Sequence, residues 1–166
     1  MNLSELFNYK NQLMDDLLTN KKIVRLLCDD EKNIDDPHEL VYTQVFPYEY
    51  IPDTVQHGKT FICCDVDVGR SLNKTFLLPT LYIWVFTHKS KLRLQEGGVR
   101  TDKLACEIAT VINGSRYYGL GELDFYSIKR FAPVSDYQGK VMTFQAQDFN
   151  RLSPTGKDAP TNRKYS

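Results

Sequence analysis

Positions 80–89, "TLYIWVFTHK", constrain this chain more than any other segment, because both of their alternating sides are apolar. Successive side chains of a strand point to opposite sides of its sheet, so Leu81, Ile83 and Val85 share one side and Tyr82, Trp84 and Phe86 the other. A strand with water on one side alternates apolar with polar residues, whereas a strand apolar on both sides is covered twice. The segment is therefore expected to be the central strand of a sheet, with Trp84 in the core. The preceding "TFICCDVDV" at 60–68 is its expected neighbour, joined by "GRSLNKTFLLP" as a long hairpin.

A helix to cover that sheet is written in "RTDKLACEIATVINGSRYYGLGELDFYSI", positions 100–128. Leu104, Ala105, Ile108, Val111 and Ile112 fall on one side of a period of 3.6 residues. Thr101 is the expected N-cap, Asp102 suits the positive end of the helix dipole, and Asn113-Gly114 offers a residue able to take positive φ at the stop. Beyond it, Leu123, Phe125 and Ser127 alternate with Asp124, Tyr126 and Ile128, the pattern of a strand with one side more buried. "KVMTFQAQDF" at 140–149 supplies a last strand.

At the other end, "NLSELFNYKNQLMDDLLTN" carries an apolar stripe at helical spacing, with Asn2 and Glu5 placed as a capping box. "KKIVRLLCDD" reads as a second short helix after a break at Thr19-Asn20, and "DDP" ends it. In "ELVYTQVFPYEYIPDTV", Pro47 and Pro52 cannot donate to a ladder, which points to an extended edge segment. The result is an α+β fold: a mixed, mostly antiparallel sheet of four to five strands packed with two to three helices. With 166 residues, 42% of them hydrophobic, one core is expected over 1–150. Residues 151–166 lack periodicity and read as a flexible basic tail.

Charge is balanced overall, at 21 basic and 21 acidic side chains, which argues against a surface built to grip nucleic acid. It is unevenly distributed: residues 1–83 hold 8 basic and 13 acidic groups, and the later half is correspondingly basic. Acidity concentrates in "CDDEKNIDDPHE" (28–39), and basicity in "HKSKLRLQEGGVRTDK" (88–103) and the tail. Two differently solvated sides of a monomer would explain this, as would a head-to-tail contact between copies.

Cys28, Cys63, Cys64 and Cys106 form no C-x-x-C pair and are expected to be small buried hydrophobes in a reducing compartment, with Cys63 and Cys64 on opposite sides of one strand. "MNLSELFNYKNQL" does not read as a signal peptide, and "LYIWVF" is too short to span a bilayer, so assembly in cytoplasm is expected.

Chemistry is sparse. Asp65, Asp67 and His88 could in principle share a divalent metal, but acids at i and i+2 are also what a half-solvated strand carries. "GLGEL" (119–123) precedes a strand, so it has no helix N-terminus with which to hold an anion. No G-x-S-x-G, no Walker lysine and no Cys-His pair in a recognisable context is present. Tyr42, Phe46, Tyr48, Tyr50, Tyr117 and Tyr118 fall at strand ends or loops with only Arg116 beside them, a weak pattern for stacking single-stranded nucleic acid and a better one for protein contact. No catalytic residue, cofactor or metal is expected.

The succession of N-terminal helix, "VFPYEYIPDTV", "KTFICCDVDV", "LYIWVFTHK", the 100–128 unit and the closing "MTFQAQDFNR" resembles the tail-terminator, or tail-completion, proteins in the neck of long-tailed bacteriophages and related prophages. The resemblance covers about 1–150 and rests on R-x-D-x-L-A-x-E-I, the N-G-S and G-L-G after it, and the closing D-F-N-R. It implies a virion structural protein, not an enzyme. Such a protein forms a homo-oligomeric ring, expected to be hexameric, that caps the tail tube and joins the tail to the head connector. The implied partners are the tail-tube protein, connector or stopper proteins, and genomic DNA crossing the lumen without sequence-specific binding, with no membrane. The implied location is the virion neck, assembled in the host cytoplasm. A head-completion or stopper protein is the nearest alternative; more distant ones are a small nucleic-acid-binding or regulatory module and an enzyme using Asp65, Asp67 and His88. Candidate contacts are Asp29, Asp30, Glu31, Tyr48, Tyr50, Lys89, Lys91, Arg93, Arg116, Tyr117, Leu152 and Tyr165.

The tail yields a first prediction. Its Arg151, Lys157, Arg163 and Lys164 outnumber Asp158, and Leu152 and Tyr165 are its expected apolar anchors on a neighbouring neck or tail protein. Truncation after Asn150 is expected to leave the melting temperature nearly unchanged, by calorimetry, while lowering the yield of head-tail joined particles counted by electron microscopy.

Overall fold

The structure, a computed structural model, describes residues 5–28, 35–52, 58–70 and 75–151. In chain order the elements are helices Glu5–Thr19 (α1) and Lys21–Leu27 (α2) and strands Val45–Phe46 (β1), Thr60–Arg70 (β2) and Phe76–His88 (β3). Helix Arg100–Ile112 (α3) follows, then strands Asp124–Phe131 (β4), Tyr137–Gln145 (β5) and Asp148–Phe149 (β6), with short 3-10 turns at Pro37–Leu40 and Lys89–Lys91.

The segment apolar on both sides is the centre of the sheet, as its pattern requires. The strand order is β1-β2-β3-β5-β4, and β6 adds to β3 at Phe76 and Leu77, beyond the end of β5. β1 runs parallel to β2; the other pairings are antiparallel. The fold is α+β, with three helices and six strands among the described residues, one strand more than the upper expectation because β1 and β6 are only two residues each.

One side of the sheet is closed by all three helices. Ile62 and Cys64 of β2, Leu81, Ile83 and Val85 of β3, and Met142 and Phe144 of β5 meet Leu13 and Leu17 of α1, Ile23 and Leu27 of α2, and Leu104 and Ile108 of α3 in one buried cluster. Among the described residues the opposite side is closed only at the His88 end, where Phe46, Phe61, Cys63, Phe86 and Tyr137 form a second cluster, with Tyr50 of the chain following β1 packed against it. Trp84 is thus not fully in the core, contrary to expectation. It is half-buried at the rim of that second cluster and stacks on Tyr82, with ring centroids 5.7 Å apart. Further along the same side Leu78 is 41% exposed. Two apolar sides identify a central strand, but here the rings of one side shelter one another where no described helix covers them.

Other local expectations also shift. α3 starts at Arg100 with Val99 as its N-cap and no side-chain capping bond, while Thr101 is buried in the first turn. Cys106 is exposed, because two residues along a helix turn it about 200° from Leu104, away from the sheet. Cys63 and Cys64 do lie in the two different clusters. β4 is an edge strand with a bulge between Phe125 and Ser127, so its side chains are mostly exposed instead of half-buried. The Asn2–Glu5 capping box and the tail beyond Arg151 lie outside the described residues.

The short helix α2 depends on groups from elsewhere. Asn20 caps its start, its side chain accepting from the N–H groups of Lys22 and Ile23. At its end the Leu26 carbonyl accepts from buried Arg100 Nη1 at 2.7 Å, and the Leu27 carbonyl from Gln44 Nε2 at 2.8 Å. Arg100 Nε also donates to the Lys91 carbonyl at 2.8 Å, and Gln44 Nε2 to the Thr60 carbonyl at 2.9 Å. Carbonyls that a seven-residue helix leaves open are thereby tied to α3, to the loop after β3, and to β2.

Gly139, opposite Phe86 in the sheet, marks the closest approach. A Cβ there would lie 1.9 Å from the Val85 carbonyl oxygen and 2.6 Å from Phe86 Cα, so Gly139→Ala forces the central pairing apart. Its expected cost is about 3 kcal/mol or more, from strain against backbone that cannot move aside. Trp84→Ala, removing a half-buried ring, is expected to cost about 1–2 kcal/mol, less than the full core value. Urea melts of both variants measure this ordering; an equal or larger loss for Trp84→Ala would contradict the half-open sheet.

Candidate interaction surface

The possible metal set is pulled apart by strand register. Asp65 stands opposite Tyr82 and Asp67 opposite Thr80, so His88 lies six residues along β3 from the nearer pair, roughly 20 Å at about 3.3 Å per residue. Asp65 accepts Lys10 Nζ at 3.1 Å, and His88 Nδ1 is within 2.7 Å of Ser90 Oγ. Among the described residues no three His, Cys, Asp or Glu side chains are grouped to hold a metal ion. A groove of 710 Å³ between the start of α3 and the β4–β5 turn is lined by Thr101, Asp102, Arg130, Tyr137 and Lys140 among others, without His or Cys. There Lys140 meets Asp102 at 3.4 Å.

Five of the anticipated contact residues lie at opposite ends of the sheet. Lys89, Lys91 and Arg93 follow His88, beyond the second cluster. Lys89 is held by Asp136 at 2.6 Å, an ion pair that keeps the Asp136 carboxyl below its ordinary range, while Arg93 is exposed. Arg116 and Tyr117 lie in the loop before β4, at the end where Asp124, Gln145 and Thr80 stand in register. Arg116 Nε donates to Glu122 at 2.8 Å, and Tyr117 is 83% exposed. Next to it Tyr118 turns inward, its hydroxyl donating to Asp16 at 2.9 Å; burial first, and that carboxylate second, push its pKa above the usual range.

Tyr48 and Tyr50 are at the sheet's β1 edge. Tyr48 is exposed, whereas Tyr50 is half-buried and stacks on Phe46 with centroids 4.0 Å apart. Asp29, Asp30, Glu31, Leu152 and Tyr165 lie outside the described residues. The candidate contacts do not include the opposite edge, where Phe125, Tyr126 and Ile128 of β4 are exposed. "DFYSIKR" carries a faint signal of it: apolar residues on both sides followed directly by two cations, as an uncovered strand would have.

Compared with known proteins, residues 20–146 match the model of a family described only as YomW, a match that spans α2 to β5. No curated protein matches the chain.

The thiols divide by environment. Burial pushes Cys63 and Cys64 from 9.0 up to about 12, while Cys106 is open to solvent. Because the thiolate is the reactive form, a thiol-reactive dye at about pH 8 is expected to label Cys106 first and to reach Cys63 and Cys64 only after unfolding in guanidinium. A folded-state value raised above the unfolded one favours the fold until the unfolded thiol ionises. These two groups therefore withdraw stability as pH rises from about 9 towards 12. Peptide mapping after timed labelling, and denaturant melts across that alkaline range, check both points.

Proposed function

This chain belongs to the YomW family, of the phage and prophage type, and from that premise we propose that it is a structural protein of the virion neck: a tail terminator that forms a ring of six copies on the end of the tail tube and joins it to the head connector. The observation that carries the reading is the placement of two loops, the basic 89–99 and the tyrosine-bearing 113–121, at opposite ends of one sheet. A ring subunit between a tube and a connector needs two axial surfaces facing opposite ways and two lateral surfaces for its neighbours. Strand ends provide the first kind and strand edges the second.

The proposed axial partners are the tail-tube protein on one side and connector or stopper proteins on the other, with genomic DNA crossing the lumen and no base-specific contacts. No membrane partner is proposed; among the described residues no helix is long and apolar enough to cross a membrane. The rigid part of each axial surface is its anchorage: Lys89–Asp136 and the Arg100 clasp at one end, Arg116–Glu122 and Tyr118–Asp16 at the other.

Disruption of the gene in its phage is the test. Lysates are expected to contain filled heads separated from tails, with tails of uncontrolled length in electron micrographs, and supplied wild-type protein should restore joined particles. Tails of normal length beside heads that have lost their DNA would instead assign the stopper role, and normal joined particles would remove the protein from the neck.

A further inference from the structure

The two edges of the sheet differ in a way that the ring reading does not require. At one edge β4 pairs only with β5 among the described residues, and it presents exposed Phe125, Tyr126 and Ile128. Tyr126, 65% exposed, sits in the bulge, and Lys129 and Arg130 are exposed directly after Ile128. At the other edge lies the chain around β1. There Tyr42, Tyr48 and Ile51 are exposed, together with Glu39 and Glu49, and residues 35–51 contain four acidic side chains and no lysine or arginine.

Several features mark these edges as more than ordinary surface. Edge strands usually carry charge or a covering element because bare apolar edges associate. β4 has two cations at one end and three exposed apolar residues; Phe125 meets the Phe144 ring edge-on, yet about half of it and of Ile128, and most of Tyr126, stays open. Tyr42 is the described non-glycine residue with positive φ, at 61°, and its ring is 62% exposed. A left-handed backbone is costly for a bulky residue, yet the Tyr42 N–H, donating to the Val45 carbonyl at 2.8 Å, holds it so that the ring stands in water. Interfaces favour aromatic anchors within a polar rim, and opposite charges select the partner and its register.

We infer that the β4 edge of one copy docks against the 39–51 segment of the next, with Phe125, Tyr126 and Ile128 meeting Tyr42, Tyr48 and Ile51, and Lys129 and Arg130 facing Glu39 and Glu49. The occupant of each edge is a second copy of this chain. The two surfaces lie at opposite edges of one sheet, so the contact is head-to-tail and propagates around a ring. At 88–103, by comparison, Lys89 is paired with Asp136, Lys103 with Glu96, and Arg100 is buried, while Arg93 is exposed. The pairing itself stands on the two edges; only its closure into a ring rests on the tail-terminator reading.

Charge exchange tests it. One variant carries Glu39→Lys and Glu49→Lys, the other Lys129→Glu and Arg130→Glu; all four positions are exposed, and circular dichroism melts verify that each folds. In sedimentation equilibrium at rising concentration up to about 1 mM, wild type is expected to exceed the 19.2 kDa monomer mass. Each variant alone should need at least about tenfold more protein to associate, since like charges then face each other. An equal mixture of the two should recover the wild-type association, because each edge again meets its opposite. Ile128→Ser, which leaves charge unchanged, should weaken association as well. Wild type that stays monomeric, variants that associate as wild type does, or a mixture that fails to recover would each overturn the pairing. Copies that associate through these edges but do not restore joined particles would leave the pairing standing and remove the tail-end role.

Discussion

The ladder on both sides of β3 is the interaction on which the rest of the structure depends. Eleven consecutive pairs with β2 and nine with β5 are made by this one strand, and β6 extends its contacts to Phe76. Because the side chains at Leu81, Ile83 and Val85 are fully buried under the helices, a one-residue slip would exchange them with Tyr82, Trp84 and Phe86 and put rings where α1 and α3 need aliphatic surface. Gly139 reinforces that register from β5, since the backbone of Val85 and Phe86 occupies the space a side chain would take.

The helices are attached to this sheet unequally. α1 and α3 are long enough to bury a stripe, but α2 has seven residues and is held by polar ties from Arg100 and Gln44. Burying a guanidinium is favourable only when its donors find acceptors, and here the carbonyls at the end of α2 need donors equally. The arrangement places the start of α3 and the loop after β3 beside one another, so the polar end of the molecule at 88–103 is built around an internal clasp.

In the proposed ring, strand ends and strand edges would carry different duties. The ends hold loops anchored by ion pairs and by Tyr118, while the edges present exposed rings. A surface anchored within its own subunit can present a stable shape to a different protein. A surface of exposed apolar groups is stabilised most by being covered, and a second copy is always at hand during assembly.

The alternation at 81–86, the helical spacing at 104–112 and the prolines around 47–52 are local, and from them the central strand, the covering helix and the edge segment can be read directly. Periodicity records which residues share a side; it carries no information on whether an element exists to cover that side. Hence the pattern points Trp84 into a core that no described helix closes, buries Cys106 although it stands on the far side of its own helix, and half-buries a β4 that lies at the edge. The candidate contact residues divide in the same way. Their types are legible as charge and aromatic clusters, but the separation of 89–93 from 116–117 to opposite ends, and the meeting of distant residues such as Arg100 with Leu26, depend on how the chain returns through space. By itself, the sequence determined the elements and their buried stripes, because these depend on neighbours within a few residues. Which surfaces stayed open was decided by tertiary structure alone, because exposure is a property of what the rest of the chain leaves uncovered.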